Sequence, residues 1–129
     1  MKKHILAVDD EADIRELLRE VLTLKGYRVS TAAEPEAAKK IIQQDPPQLI
    51  ILDLQFQEGD GLELLEDIKR MGQNIPVVLM TGALFDRGAV RDTVEKKVSL
   101  YLDKTTPLST IVAEIQRLLG DSPASQSHV

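Results

Sequence analysis

The chain has no cysteine, so it can form neither a disulfide nor a thiolate zinc site. It also lacks an excess of positive charge: Lys and Arg number 16 against 21 Asp and Glu, a net charge of −5. That balance argues against a dedicated nucleic-acid or anionic-membrane surface, which needs clustered basic residues. No stretch approaches the roughly 18 consecutive apolar residues of a membrane span. The opening MKKHILAVDD offers two lysines and a short apolar run, but Asp9 and Asp10 end that run after five residues. A secretory leader needs a longer apolar segment and a small-residue cleavage site. The expectation is a cytoplasmic, single-domain protein without membrane insertion. At 129 residues, 43% hydrophobic and 29% charged, the chain is long enough for one core and ordinary in its balance.

Five short apolar runs recur, at His4–Val8, Arg28–Ala32, Leu49–Leu52, Val77–Met80 and Leu100–Leu102. Several lack period-two alternation, as expected of strands buried on both faces of a parallel sheet. Helical spacing fills the gaps. Ile14, Leu17, Leu18, Val21 and Leu22 form a core-facing stripe, with Lys25–Gly26 as its stop. A second helix opens at Pro35 and ends before Pro46–Pro47. A third begins at an Asp60/Glu63 capping-box-like start, runs through Leu64, Leu65 and Ile68, and stops at Gly72. The fourth, around Asp86–Lys97, has only Ala89, Val90 and Val94 for an apolar face. The last spans Pro107–Leu119, with Thr106 as cap and Gly120 as stop. Strands alternating with helices predict an α/β fold, a doubly wound five-stranded parallel sheet with helices on both faces. Residues 1–120 would form the domain, and 121–129, DSPASQSHV, a polar tail or the start of a linker.

In open α/β sheets, ligands bind outside the carboxyl ends of the strands. Those ends carry Asp9–Asp10, Asp53, Thr81 and Asp103–Lys104, while the second strand contributes only Thr31 and alanines. Carboxylates gathered there repel one another unless a cation sits among them. Mg²⁺, with one or two carboxylates, waters and a phosphoryl oxygen, suits this inventory, and Mn²⁺ could substitute. A carboxylate beside such an ion can attack phosphorus and form an acyl phosphate, which gives Asp53 a second role. Lys104 as a point charge and the Thr81 hydroxyl as donor would bind the transferred oxygens. No histidine is placed as a base, and phosphoryl transfer hardly needs one. Taken singly, each acid is better explained as a helix cap or dipole partner, with Asp10, Glu11 and Asp13 suiting a first turn, and only their combination at the strand ends points to a site. His4 reads as a strand residue and His128 as a tail residue. Arg87, Arg91, Lys96 and Lys97 read as a solvated face.

The acid pair in ILAVDDE, the strand-end aspartate in IILDL, the hydroxyl in VLMTG and the lysine in YLDK together resemble the receiver domain of two-component response regulators. The resemblance runs over roughly residues 3–120 and implies a flavodoxin-like, receiver-type fold. It implies Asp53 as phospho-acceptor, and Asp9, Asp10 and Asp53 as Mg²⁺ ligands with the Gln55 backbone carbonyl. It further implies Thr81 and Lys104 on the phosphoryl group, and Tyr101 as the aromatic that moves with Thr81. The donor would be a sensor histidine kinase or a histidine phosphotransfer protein. The response would be a change in the surface of the fourth helix, fifth strand and fifth helix, read by a downstream protein. Such a domain catalyses its own phosphorylation and dephosphorylation but turns over no external substrate.

The chain departs from the family pattern in four places. Gln57 stands where the family commonly has proline, and Thr105 follows Lys104 where proline is usual. A cis bond before a non-proline residue costs about 2.5–4 kcal/mol, so a trans Lys104–Thr105 peptide and a rearranged loop are expected. Gly82 replaces the usual alanine, and Lys97-Val98-Ser99 replaces a Gly-Ala pair. Two other function classes fit parts of the pattern. A phosphorylation-independent receiver-fold adaptor would draw on the altered loops. An aspartyl phosphohydrolase would want a general acid two residues after the nucleophile, and Gln55 cannot serve as one.

Overall fold

A computed structural model describes residues 2–53, 61–71, 74–81, 99–103 and 105–121, with backbone alone at 61–63, 81, 101 and 103. The apolar runs become strands β1 (His4–Val8), β2 (Arg28–Ala32), β3 (Leu49–Leu52), β4 (Val77–Thr81) and β5 (Leu100–Asp103). The helices are α1 (Ala12–Leu24), α2 (Pro35–Gln44), α3 (Gly61–Arg70) and α4 (Leu108–Leu118). The helix expected around residues 86–97 lies outside the described residues, as do the expected cap Asp60 and stop Gly72.

All strands pair in parallel, in the order β2-β1-β3-β4-β5. The missing alternation in the apolar runs now has its cause. Leu6, Val8, Ile50, Leu52, Val77 and Leu79 face α2 and α3, packing on Ile42, Leu64, Leu65 and Ile68. Ile5, Ala7, Leu49, Ile51, Val78 and Met80 face α1 and α4, packing on Leu18, Leu22, Ile111 and Ile115. Every residue of β1 and β3 is buried, so each position is apolar whichever way it points, His4 excepted, whose ring meets Ser30 Oγ. Among the described residues, no helix is long and apolar enough to cross a membrane.

Glycine sets the ends of two helices. Gly26 (φ +96) and Gly120 (φ +81) adopt the left-handed conformation that non-glycine residues avoid. After α1, the Gly26 amide donates to Thr23 O and the Tyr27 amide to Leu22 O. After α4, Gly120 donates to Arg117 O and Asp121 to Gln116 O. Both are Schellman closures that satisfy otherwise orphaned carbonyls.

Two expectations need correcting. Pro107 sits at the cap of α4 (φ −56, ψ 140) rather than at its first helical position, and Thr106 is not the cap. The Pro107 carbonyl accepts from Thr110 and Ile111, so the proline itself opens the hydrogen-bond ladder and its extended ψ displaces the start by one residue. Leu17 is 44% exposed, outside the stripe it was expected to complete. Leu18 and Leu22 take the centre of the contact with the sheet, and Ile14 and Val21 flank it. That arc leaves Leu17 beyond the edge.

At the amino-terminal edge of the sheet, Asp121 joins three distant segments. It accepts a hydrogen bond from the Tyr27 hydroxyl (3.0 Å) and one from Lys3 Nζ (3.2 Å). Lys3 Nζ also donates to the Leu119 carbonyl at the end of α4. Burial and the hydrogen bond and charge of Asp121 push the Tyr27 hydroxyl pKa above the usual tyrosine range. A folded pKa raised above the unfolded value favours the fold while the group stays protonated. That contribution is whole below about pH 10 and is lost as pH rises beyond it. Tyr27→Phe should therefore cost about 1–2 kcal/mol near neutral pH. In denaturant titrations the gap to the wild type should narrow steadily above about pH 10.

Candidate functional site

The sheet order places a switch point between β1 and β3. The chain leaves β1 for β2 on one side and returns to β3 on the other, which opens a crevice at their carboxyl ends. The residues just past those two ends are Asp9 and Asp53. Each is held by its own backbone, the Asp9 amide donating to Ala32 O (3.1 Å) and the Asp53 amide to Val8 O (3.0 Å). These bonds extend the parallel ladders one residue beyond the strands. The carboxylates are thus fixed to the most rigid part of the fold. Asp9 is 3% exposed and Asp53 2% exposed.

Asp10 is half-buried beside them, and Glu11, the residue capping α1, is exposed. One carboxylate oxygen from each of Asp9, Asp10, Glu11 and Asp53 lies within 4.8 Å of all the others. Asp9 Oδ1 accepts from the Glu11 amide at 2.9 Å, which ties the acid pair to the start of α1. Glu11 was expected to serve only the helix dipole. Its adjacency to the Asp9–Asp10 pair was the available signal, because the last residue before a helix that starts at the crevice stays at the crevice.

The donor set fits a hard divalent cation. It consists entirely of oxygen, is partly buried and is gathered within the span of one ion's ligand shell. Two full charges 4.8 Å apart repel by about 3.5 kcal/mol at an effective dielectric of about 20. Asp9 and Asp53, both buried, are the pair for which water screens this least.

The other expected site residues divide by what the structure describes. Thr81 ends β4 and Tyr101 lies in β5, in a register that pairs Leu79 with Tyr101 and Thr81 with Asp103. Thr81 therefore stands at the carboxyl edge on the strand next to β3. Lys104, Gln55, Gln57 and Gly82 lie outside the described residues, as does the Lys104–Thr105 peptide. His4 is confirmed as a strand residue remote from this edge, its Nε2 2.7 Å from Ser30 Oγ.

Comparison with known proteins agrees with this geometry. The profile of the response regulator receiver domain matches residues 5–116. The response regulator MprA of Mycobacterium leprae is 32% identical over 122 residues, covering 89% of this chain and 50% of that protein. The chain thus spans about half the length of the MprA relatives that it matches. Sporulation initiation phosphotransferase F of Bacillus subtilis is 35% identical over 120 residues, covering 78% of this chain and 97% of that protein. Among solved structures, the response regulator TrrA of Thermotoga maritima in complex with Mg²⁺-BeF superposes with a TM-score of 0.78 at 30% identity, covering 90% of this chain and 98% of that one. A two-component response regulator from Clostridium difficile superposes with a TM-score of 0.84 at 26% identity, covering 92% and 97%.

Charge repulsion in the crevice has a measurable consequence. In chelator, Asp53→Asn should melt above the wild type, by on the order of 1 kcal/mol once screening at Asp10 and Glu11 is allowed for. Added Mg²⁺ should raise the wild-type melting temperature more than that of Asp53→Asn, so the two curves converge. Calorimetry with and without Mg²⁺ reads both effects.

Proposed function

The chain belongs to the response regulator receiver family, and from that premise we propose that Asp53 accepts a phosphoryl group from a sensor histidine kinase or a histidine phosphotransfer protein. The observation that carries this reading is the buried Asp53 carboxylate, anchored past the end of β3 and sharing one crevice with Asp9 and Asp10. Residues 1–120, with Asp121 bonded back to Lys3 and Tyr27, form the receiver unit in this reading, and the residues after it a tail or the start of a linker. The place of action is the cytoplasm.

An oxygen of the Asp53 carboxylate attacks the phosphorus of the donor phosphohistidine. The new P–O bond forms as the P–N bond breaks, and the imidazole nitrogen keeps the electron pair and takes up a proton. A ladder hydrogen bond to Val8 of β1 holds the Asp53 backbone, so little reorganisation is needed for attack. Asp9, Asp10 and Asp53 would hold Mg²⁺, with the Gln55 main-chain carbonyl as a further ligand and Mn²⁺ able to substitute. When bound, the ion neutralises charge on the attacking carboxylate and the transferred oxygens. Thr81, by its hydroxyl, and Lys104, by its ammonium, would bind those oxygens.

The output is a population shift. Thr81 is drawn to the phosphoryl group and Tyr101, on the adjacent strand, follows, which alters the surface around residues 83–105 for a downstream protein. Spanning about half of its MprA relatives, the chain would pass its state either to a docked protein or to an attached output segment.

Two measurements test this reading. Incubation with Mg²⁺ and acetyl phosphate should add one phosphoryl mass to the intact protein, and Asp53→Asn should add none. A panel of phosphodonors giving no Asp53-dependent mass would overturn the acceptor role. Hydrogen exchange with and without beryllofluoride should change protection within residues 83–105; identical protection there would remove the switching surface.

A further inference from the structure

Arg15 is a cation in the first turns of α1, four residues past the Glu11 cap. A positive charge there opposes the helix macrodipole, at a typical cost of about 0.3–1 kcal/mol. The side chain turns back past the start of the helix, and Nη1 donates to the main-chain carbonyl of Asp9 at 2.8 Å. Its own amide donates to Glu11 O at 3.2 Å. One residue thus grips both sides of the turn that carries Asp9, Asp10 and Glu11.

We infer that Arg15 is a positioning residue for the cation pocket: by fixing the Asp9–Asp10 peptide it aims the Asp10 carboxylate and so sets the affinity for the divalent ion. The Asp9 carbonyl oxygen and the Asp10 amide nitrogen share one rigid plane. Anchoring the oxygen stops that plane from rotating, and the plane determines where the Asp10 Cα stands. Asp9 and Asp53 are placed by ladder bonds to neighbouring strands. Asp10, half-buried and one residue beyond the ladder, is placed through the plane that Arg15 holds. The contact goes to a carbonyl and not to a carboxylate. Arg15 therefore orients the acids without pairing with their charge, in the manner of outer groups that orient metal ligands.

The inference rests on the reading of the crevice as a Mg²⁺ site, and the test separates the two. Mg²⁺ is titrated into the metal-free chain and followed by the amide resonances of residues 9, 10 and 53, for wild type, Arg15→Ala and Arg15→Lys. Circular dichroism confirms that each variant is folded. Arg15→Ala should bind Mg²⁺ on the order of tenfold more weakly, and Arg15→Lys, which can still reach a carbonyl, should recover part of the loss. If Arg15 acted only as a nearby positive charge, its removal would tighten binding. Unchanged or tighter binding in Arg15→Ala overturns the inference alone. No saturable shift in the wild type overturns the Mg²⁺ reading and this inference with it. If Arg15→Ala does not fold, Arg15→Gln takes its place: binding weaker than wild type and partly restored in Arg15→Lys supports the contact, and wild-type or tighter affinity in Arg15→Gln overturns it.

Discussion

Two buried aspartates, Asp9 and Asp53, are held side by side just past the ends of β1 and β3, whose residues are all buried and, His4 apart, apolar. Like charges at that separation oppose folding, so the rest of the fold must hold them there. It does so through main-chain bonds. The Asp9 and Asp53 amides continue the ladders to β2 and β1, so the backbone that carries each carboxylate is tied to the neighbouring strand. The same repulsion prepares the crevice for a cation.

That arrangement depends on burial from both sides. One apolar cluster lies under α2 and α3 and another under α1 and α4, and the central strands contribute to both. Fixing the strands so firmly makes their carboxyl ends a dependable platform. In the sequence, three of the chain's departures from the family pattern, Gln57, Gly82 and Thr105, come after the ends of β3, β4 and β5, and the fourth, Lys97-Val98-Ser99, comes before β5. At the opposite edge, Lys3, Tyr27 and Asp121 lock the end of α4 to the beginning of the sheet. The chain therefore leaves the domain from a fixed point.

Much of this was legible in the sequence because the signals are local. Runs such as HILAV and LIIL match β1 and β3 residue for residue, since a strand buried on two faces takes apolar side chains at nearly every position. Gly26 and Gly120 marked the helix ends because their left-handed conformation is nearly exclusive to glycine. The acids at the strand ends followed from the parallel-sheet rule once the strands were placed. What escaped depended on packing between distant segments or on fine geometry. Leu17 fits the helical period, yet the contact arc of α1 does not reach it. Pro107 suits a first helical position, yet its extended ψ makes it the cap. Asp121 looked like the first residue of a tail; its bonds to Lys3 and Tyr27 span more than 90 residues of sequence. Nor does any periodicity reveal that the Arg15 guanidinium turns back to Asp9.

The central claim is that the Asp53 carboxylate itself becomes the acyl phosphate. Borohydride reduction of the phosphorylated chain, followed by peptide sequencing in a mass spectrometer, tests it most directly, because hydride converts an aspartyl phosphate to homoserine at the modified position. The account predicts homoserine at position 53 and unmodified aspartate at positions 9 and 10. Homoserine at either of those positions, or none anywhere in a chain that carries the phosphoryl mass, would contradict it.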